Sequence, residues 1–119
     1  MTAIFGRHKA SRAAQATADI ESIANRLGKE FPDSSITARA TFKRAMCLYW
    51  MGRDEEAIAE LRKALALDPA GSRVATELAH TYTTTRRYEL ADRTYDRAIS
   101  LAPNEPIPYQ LKAMNYLLW

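Results

Sequence analysis

The chain of 119 residues is 47% hydrophobic and 26% charged, with a formal net charge of +3, which is typical of a single folded domain. No run of apolar residues is long enough to span a membrane, and no signal peptide is visible. The single cysteine, Cys47, excludes a disulfide within the chain and agrees with a reducing compartment. Composition therefore argues against a membrane span, excludes an internal disulfide and predicts a cytoplasmic location.

Basic charge is concentrated at the start of the chain. Arg7, Lys9 and Arg12 lie within the first 18 residues, which contain no acidic side chain, whereas the remaining residues carry 14 basic and 14 acidic side chains. Residues 1–11 are therefore predicted to be a flexible basic arm. Such an arm can contact nucleic acid, anionic lipid or an acidic partner, belong to an organellar transit peptide, or be a solvated terminus.

The rest of the chain has the pattern of helices separated by short breaks. Apolar residues recur at helical spacing, and Gly and Pro are scarce outside the breaks. Asp54, Ser72 and Asn104 are the predicted N-caps. The predicted helices span residues 12–31, 35–51, 54–67, 72–85, 88–101 and 105–118.

The sequence repeats itself at an interval of 34 residues. The matching positions are Ala57 with Ala91, Leu61 with Tyr95, Ala64 with Ala98, Pro69 with Pro103, and, in the preceding helices, Ala45 with Ala79 and Ala113, and Leu48 with Tyr82 and Tyr116. This period and this order of small and large residues resemble the tetratricopeptide repeat family.

The resemblance implies an all-α superhelix of antiparallel helix pairs with right-handed stacking. It places about two and a half repeats at 38–71, 72–105 and 106–119, preceded by an N-terminal cap helix at 12–33, so that 12–119 is one repeat domain. Small side chains such as Ala79 and Ala91 would let the two helices of a repeat approach closely.

The sequence contains no recognisable catalytic or metal-binding constellation. His8 and His80 are the only histidines, and the several converging ligands that a metal site needs do not assemble around either of them. Cys47 lies within an apolar helical pattern, which is typical of a packed side chain. The four glycines do not form a phosphate-binding loop. We therefore predict no enzymatic activity, no metal and no cofactor.

In the tetratricopeptide repeat family, the first helix of each repeat lines a concave surface that binds the partner. The residues that this register assigns to partner binding are Arg39, Phe42, Lys43, Met46, Tyr49, Trp50, Arg73, Glu77 and His80. Aromatic residues, Met and Arg are enriched at protein interfaces. A second interpretation of Phe42, Met46 and Trp50 is that they are core residues packed on the cap helix.

Two known binding modes of related repeats do not fit this sequence. The carboxylate clamp of chaperone co-factors would use the positions of Phe42, Met46, Glu77, Ile107 and Leu111, none of which matches, and Glu77 would repel a carboxylate. The balanced charge of the repeats disfavours nucleic acid as the partner.

The last predicted helix is apolar on nearly every side, which is typical of a buried helix. Tyr109, Ala113 and Tyr116 are expected to pack on the preceding repeat. The other large apolar side chains are predicted to form a homodimer contact: Leu111, Met114, Leu117, Leu118 and Trp119. A further segment of a longer protein is the alternative cover for this helix.

The predicted function is a non-enzymatic scaffold that binds a peptide or a helix of a partner protein along the concave face. Two alternatives remain open, which are a truncated regulatory or docking segment of a larger enzyme and, more weakly, a secretion-type chaperone.

Overall fold

The computed structural model describes residues 2–30 and 35–119. Six α-helices follow one another, and no β-strand occurs within these ranges. They are α1 (Thr2–Glu30), α2 (Ser35–Trp50), α3 (Asp54–Leu67), α4 (Ser72–Thr84), α5 (Tyr88–Leu101) and α6 (Pro106–Leu118). The all-α prediction is confirmed, and five of the six predicted helices agree with the structure to within one residue at each end.

Helix α1 is longer than predicted, because it begins at Thr2 and not near residue 12. The side chains of residues 2–10, which include Arg7 and Lys9, lie outside the described part of the structure, so the contacts of the basic arm stay a prediction. None of the described helices combines the length and the apolar character that crossing a bilayer requires.

The chain forms two compact units, Met1–Leu67 and Asp68–Trp119. In the first unit, α2 packs on both α1 and α3. In the second unit, α5 packs on both α4 and α6. Each unit is thus built from consecutive helices that bury their apolar faces against the next helix along the chain.

The alanines predicted at close helix crossings are fully buried. Ala45 of α2 and Ala57 of α3 are inaccessible to solvent in the first unit, as are Ala79 of α4 and Ala91 of α5 in the second. A methyl group at these positions allows close packing of the helices, whereas a larger side chain would force them apart. At these four positions the repeat register identified the helix-packing residues correctly.

The predicted N-caps differ from the observed ones. Asp54 is the first residue of α3, where its carboxylate favours the positive end of the helix dipole. Gly71 caps α4 and Glu105 caps α6, and neither helix start has a side-chain capping hydrogen bond. Pro106 follows directly as the first residue of α6, where a missing N–H costs nothing and the fixed φ suits the helix.

An interhelical ion pair recurs at equivalent repeat positions in the two units. In the first unit, Arg44 of α2 lies 3.4 Å from Glu21 of α1 and 2.6 Å from Glu60 of α3. Burial alone would lower the pKa of Arg44, but the hydrogen bond with Glu60 and the charges of Glu60, Glu21 and Glu56 raise it overall. In the second unit, Lys112 stands two repeat lengths after Arg44 and lies 3.7 Å from Asp92 of α5. In both cases an ion pair connects the first helix of a repeat to the helix before it.

Candidate functional site

In the first unit, α2 carries six of the predicted partner-binding residues, and three of them also had a core interpretation. Phe42 is buried, with 8% of its surface exposed, and Met46 is half-buried. Trp50 is 64% exposed, so the core interpretation is wrong for this side chain. The three residues therefore differ in role, although their helical spacing is regular.

The remaining three predicted residues on α2 present polar and aromatic groups. Arg39 and Lys43 are exposed, and Tyr49 is half-buried. The ring of Tyr49 meets that of Trp50 edge to face, with centroids 5.8 Å apart and planes at 80°. This surface combines two cations with an aromatic pair of which Trp50 is exposed.

In the second unit, a cleft of about 510 Å³ lies between the start of α4 and the start of α6. Eight residues line it: Ser72, Arg73, Thr76, Glu77, Ala102, Glu105, Ile107 and Pro108. Arg73 and Glu77 were predicted as partner-binding residues from the sequence. His80, the third predicted residue on α4, is half-buried and does not line the cleft.

The cleft combines charged and apolar walls. Glu77 and Glu105 contribute two carboxylates and Arg73 contributes one guanidinium, so the lining carries an excess of negative charge. Ile107, which is 53% exposed, and Pro108 form an apolar wall on α6. Such a surface can receive a side chain with an apolar stem and a polar end.

A chain of buried and partly buried hydrogen bonds fixes α6, which borders the cleft, against α4 and α5. The Thr83 hydroxyl of α4 donates to Oδ1 of Asn115 in α6 at 2.8 Å. The Asn115 amide in turn donates to the backbone carbonyl of Tyr88 at 3.0 Å. The hydroxyls of Thr83 and Tyr95 are 3.4 Å apart. Asn115 and Tyr95 are both fully buried.

The same network affects the ionisation of Tyr95. Burial raises the pKa of Tyr95, the hydrogen bond with Thr83 opposes this shift, and the negative charge of Glu77 adds to it. Glu77 therefore lines the cleft and also acts electrostatically on the buried phenol of Tyr95.

Sequence reasoning missed Asn115. This residue stands 34 residues after Thr81, a polar residue that is also buried, with 2% of its surface exposed. The repeat register relates the two polar side chains, but their burial follows from the packing of the neighbouring helices.

Comparison with known protein families agrees with this geometry. A family model described as tetratricopeptide repeat matches residues 51–114, which is more than half of the chain. The chain belongs to the tetratricopeptide repeat family. No curated protein shows significant sequence similarity to it. Tetratricopeptide repeats form protein-interaction scaffolds that are typically not catalytic.

Within this tetratricopeptide repeat fold, three residues of α6 that were predicted to pack on the preceding repeat are exposed. They are Tyr109, Ala113 and Tyr116, of which Tyr116 still forms a hydrogen bond with Asp92 of α5. Pro108 and Asn115 are the buried residues of α6 instead. The physical reason is the lack of a covering helix. The exposed face of α6 corresponds to the face of α4 that packs on α5, and no described helix of the second unit packs on that face of α6.

The residues predicted for self-association lie mostly on the surface of α6. Leu111 is half-buried, but Met114, Leu117, Leu118 and Trp119 are exposed, and Leu117 is 87% accessible. These four side chains provide apolar surface at the end of the second unit.

A stacked pair of rings lies beside this apolar surface. Tyr116 stacks on Trp119 with centroids 6.0 Å apart, and Nζ of Lys112 lies 5.9 Å from the Tyr116 ring centroid. A hydrogen bond with Asp96 raises the pKa of Lys112, and one with Asp92 raises the pKa of Tyr116. The polar contacts of α6 are therefore directed toward α5.

A metal centre has no support in the described part of the chain, where no group of three or more His, Cys, Asp or Glu side chains could hold an ion. Cys47 is a half-buried free thiol.

Proposed function

We propose that this chain is a protein-interaction module that holds an extended segment of a partner protein in the cleft between α4 and α6. The supporting observation is the cleft itself, which is lined by the predicted residues Arg73 and Glu77 together with the apolar wall of Ile107 and Pro108. Repeat proteins bind along the surfaces that their stacked helices create.

The size of the cleft favours an extended segment over a whole helix. Its volume of about 510 Å³ accommodates a few side chains, whereas a helix with its side chains is about 10 Å across. The exposed surface of α2, with Arg39, Lys43 and Trp50, is proposed as a further partner contact within the first unit, because Arg and Trp are frequent energetic centres of interfaces.

The test is a peptide-display selection with the full chain as bait, followed by fluorescence anisotropy of the recovered peptides. Ile107→Asp places a charge on the apolar wall, and we expect it to weaken binding at least about tenfold, equivalent to about 1.4 kcal/mol. Leu90→Asp is the matched control, because Leu90 is also an exposed aliphatic residue, at 46%, but lies on α5 and does not line the cleft. Peptides that bind both variants equally well, or no recovered peptide at all, would contradict the proposal.

A second candidate property, homodimer formation through α6, is favoured by the exposure of Met114, Leu117, Leu118 and Trp119. Light scattering at micromolar concentration should give the mass of two chains. Leu117→Glu/Leu118→Glu should give the mass of one chain, and the control Leu90→Glu/Leu101→Glu on α5 should remain a dimer. A single-chain mass for the wild type would rule out the dimer.

The alternatives of a docking segment in a larger enzyme and of a secretion-type chaperone would both use this same cleft. They differ in the partner, so the sequences recovered in the display selection separate them. The cytoplasmic location stays a prediction.

A further inference from the structure

The charged groups of the α4–α6 cleft suggest which partner it prefers. Glu77 is supplied by α4 and Glu105 by the residue that caps α6, so both helices bordering the cleft bring a carboxylate to it. Arg73 is the single cation among the eight lining residues. A partner carboxylate would meet two like charges and one opposite charge, whereas a Lys or Arg side chain would meet two opposite charges and one like charge, so the net charge of the lining favours the cation.

The start of α6 is also poorly suited to binding an anion. The first N–H groups of a helix have no partner within the helix and commonly bind anions. In α6, two of these groups are missing, because Pro106 and Pro108 have no N–H. Glu105 adds a carboxylate at the same helix end, where it already balances the positive end of the dipole.

The carboxylate at the α6 end of the cleft is presented from an ordered backbone. The Glu105 N–H donates to the carbonyl of Ala102 at 3.1 Å, and Pro106 restricts the chain directly after it. The fully buried Asn115 anchors the rest of α6. Little conformational freedom of the backbone remains to be lost on binding, which favours selective recognition.

We propose that this cleft binds a segment of a partner protein through a Lys or Arg side chain, placed between Glu77 and Glu105, and an adjacent apolar side chain packed on Ile107 and Pro108. This inference rests on the proposed peptide-binding function. It concerns the specificity of the cleft, because the long aliphatic stem of a Lys or Arg can cover the apolar wall while its charged end reaches the carboxylates.

The net charge of the protein makes the proposal easy to distinguish from general attraction. The chain carries +3 overall, so long-range attraction alone would favour acidic peptides. A preference for basic peptides must therefore arise from a local group of carboxylates such as this one.

The test uses a random peptide-display library, with the full-length chain as bait, and then the recovered peptides in anisotropy measurements. We expect the peptides to share a Lys or Arg beside an apolar residue. Replacing that basic residue by norleucine should weaken binding to the wild type about tenfold, as expected for loss of a close charge pair, and the effect should decrease at high salt. The same replacement should have about a twofold effect or less on Glu77→Gln/Glu105→Gln, since the charge partners are gone.

The control variant is Glu30→Gln/Glu89→Gln, which makes the same change in charge at exposed positions outside the cleft and should keep the full norleucine effect. Glu105→Gln alone, at an exposed position, replaces the double variant if that variant does not fold. Recovered peptides without a basic residue, or a norleucine effect that is equal in all variants, would overturn the proposed specificity. The proposed peptide-binding function would still stand in that case, provided that Ile107→Asp weakens binding of the recovered peptides. Peptides that bind Ile107→Asp as tightly as the wild type would overturn both the specificity and the peptide-binding function.

Discussion

Gly52 and Arg86 stand one repeat length apart and adopt the same left-handed backbone conformation, with φ of 77° and 62°. The Gly52 N–H donates to the carbonyl of Tyr49, and the Arg86 N–H donates to that of Thr83, both at 3.0 Å. The next N–H in each turn donates to the carbonyl five residues earlier. The Arg53 N–H donates to Leu48 at 3.0 Å, and the Arg87 N–H donates to Tyr82 at 2.8 Å. The two units therefore end the first helix of the repeat with the same turn, which glycine favours.

Arg86→Gly should raise the free energy of unfolding by about 1 kcal/mol, because a residue with a Cβ is strained in this conformation. Gly52→Ala should lower it by a similar amount, since no atom lies within 4 Å of the new Cβ and the cost is conformational only. Urea unfolding measures both effects. Arg97→Gly, at an exposed position within α5, is the control and should be destabilising. A destabilised Arg86→Gly variant would contradict the interpretation.

The buried contact between Thr83 and Asn115 predicts a large effect at an otherwise ordinary helix position. Asn115→Ala removes the acceptor of the buried Thr83 hydroxyl and the donor to the partly buried Tyr88 carbonyl. The expected loss of stability is about 1–3 kcal/mol. Asn104→Ala, in the exposed turn before α6, should have little effect. Equal unfolding midpoints for the two variants would show that the network does not stabilise α6.

The ion pair at Arg44 should stabilise the first unit modestly. Arg44→Met leaves Glu60, whose side chain is only 15% exposed, without this partner. Because Nε of Arg44 is itself buried without a hydrogen-bond partner, part of the gain is offset, and we expect a loss of about 1 kcal/mol. Arg53→Met removes an exposed pair with Glu56 and should be nearly neutral. Denaturant unfolding measures both variants. A larger loss in the free energy of unfolding for Arg53→Met than for Arg44→Met would contradict this prediction.

The raised pKa of Tyr95 predicts a loss of stability at alkaline pH. The buried phenol stays protonated in the folded state above the ordinary tyrosine value of 10.0, whereas the unfolded chain releases the proton there. The stability that the Tyr95 phenol contributes is therefore present below pH 10.0 and is lost as the pH rises through the raised pKa of the folded state. Unfolding measured from neutral to alkaline pH should show a steeper decline for the wild type than for Tyr95→Phe.

Tyr95→Phe also removes the contact with Thr83, which changes the free energy of unfolding by the same amount at every pH. The comparison is therefore between the slopes of the free energy of unfolding against pH. Lys112 and Tyr116 have raised pKa values too, but they are present in both proteins and contribute equally. Parallel declines with pH would rule out Tyr95 as a source of the alkaline sensitivity.

The sequence by itself determined the helices and the close-packed positions of this tetratricopeptide repeat protein. Apolar residues at helical spacing must be buried together, and the 34-residue period places the same packing positions in successive repeats. Ala45 and Ala57 are buried for this reason, as are Ala79 and Ala91. The register alone also assigns Arg73 and Glu77 to partner binding, and both line the cleft.

Only the tertiary structure decided which positions of α6 are covered and which residues complete the cleft. Ala113 has the same register position as the buried Ala79, but it is exposed, since burial requires a neighbouring helix and not a pattern alone. Glu105 and Ile107 line the cleft because α6 begins beside the first turns of α4. That proximity depends on how α6 packs across α5, which local spacing along the chain does not encode.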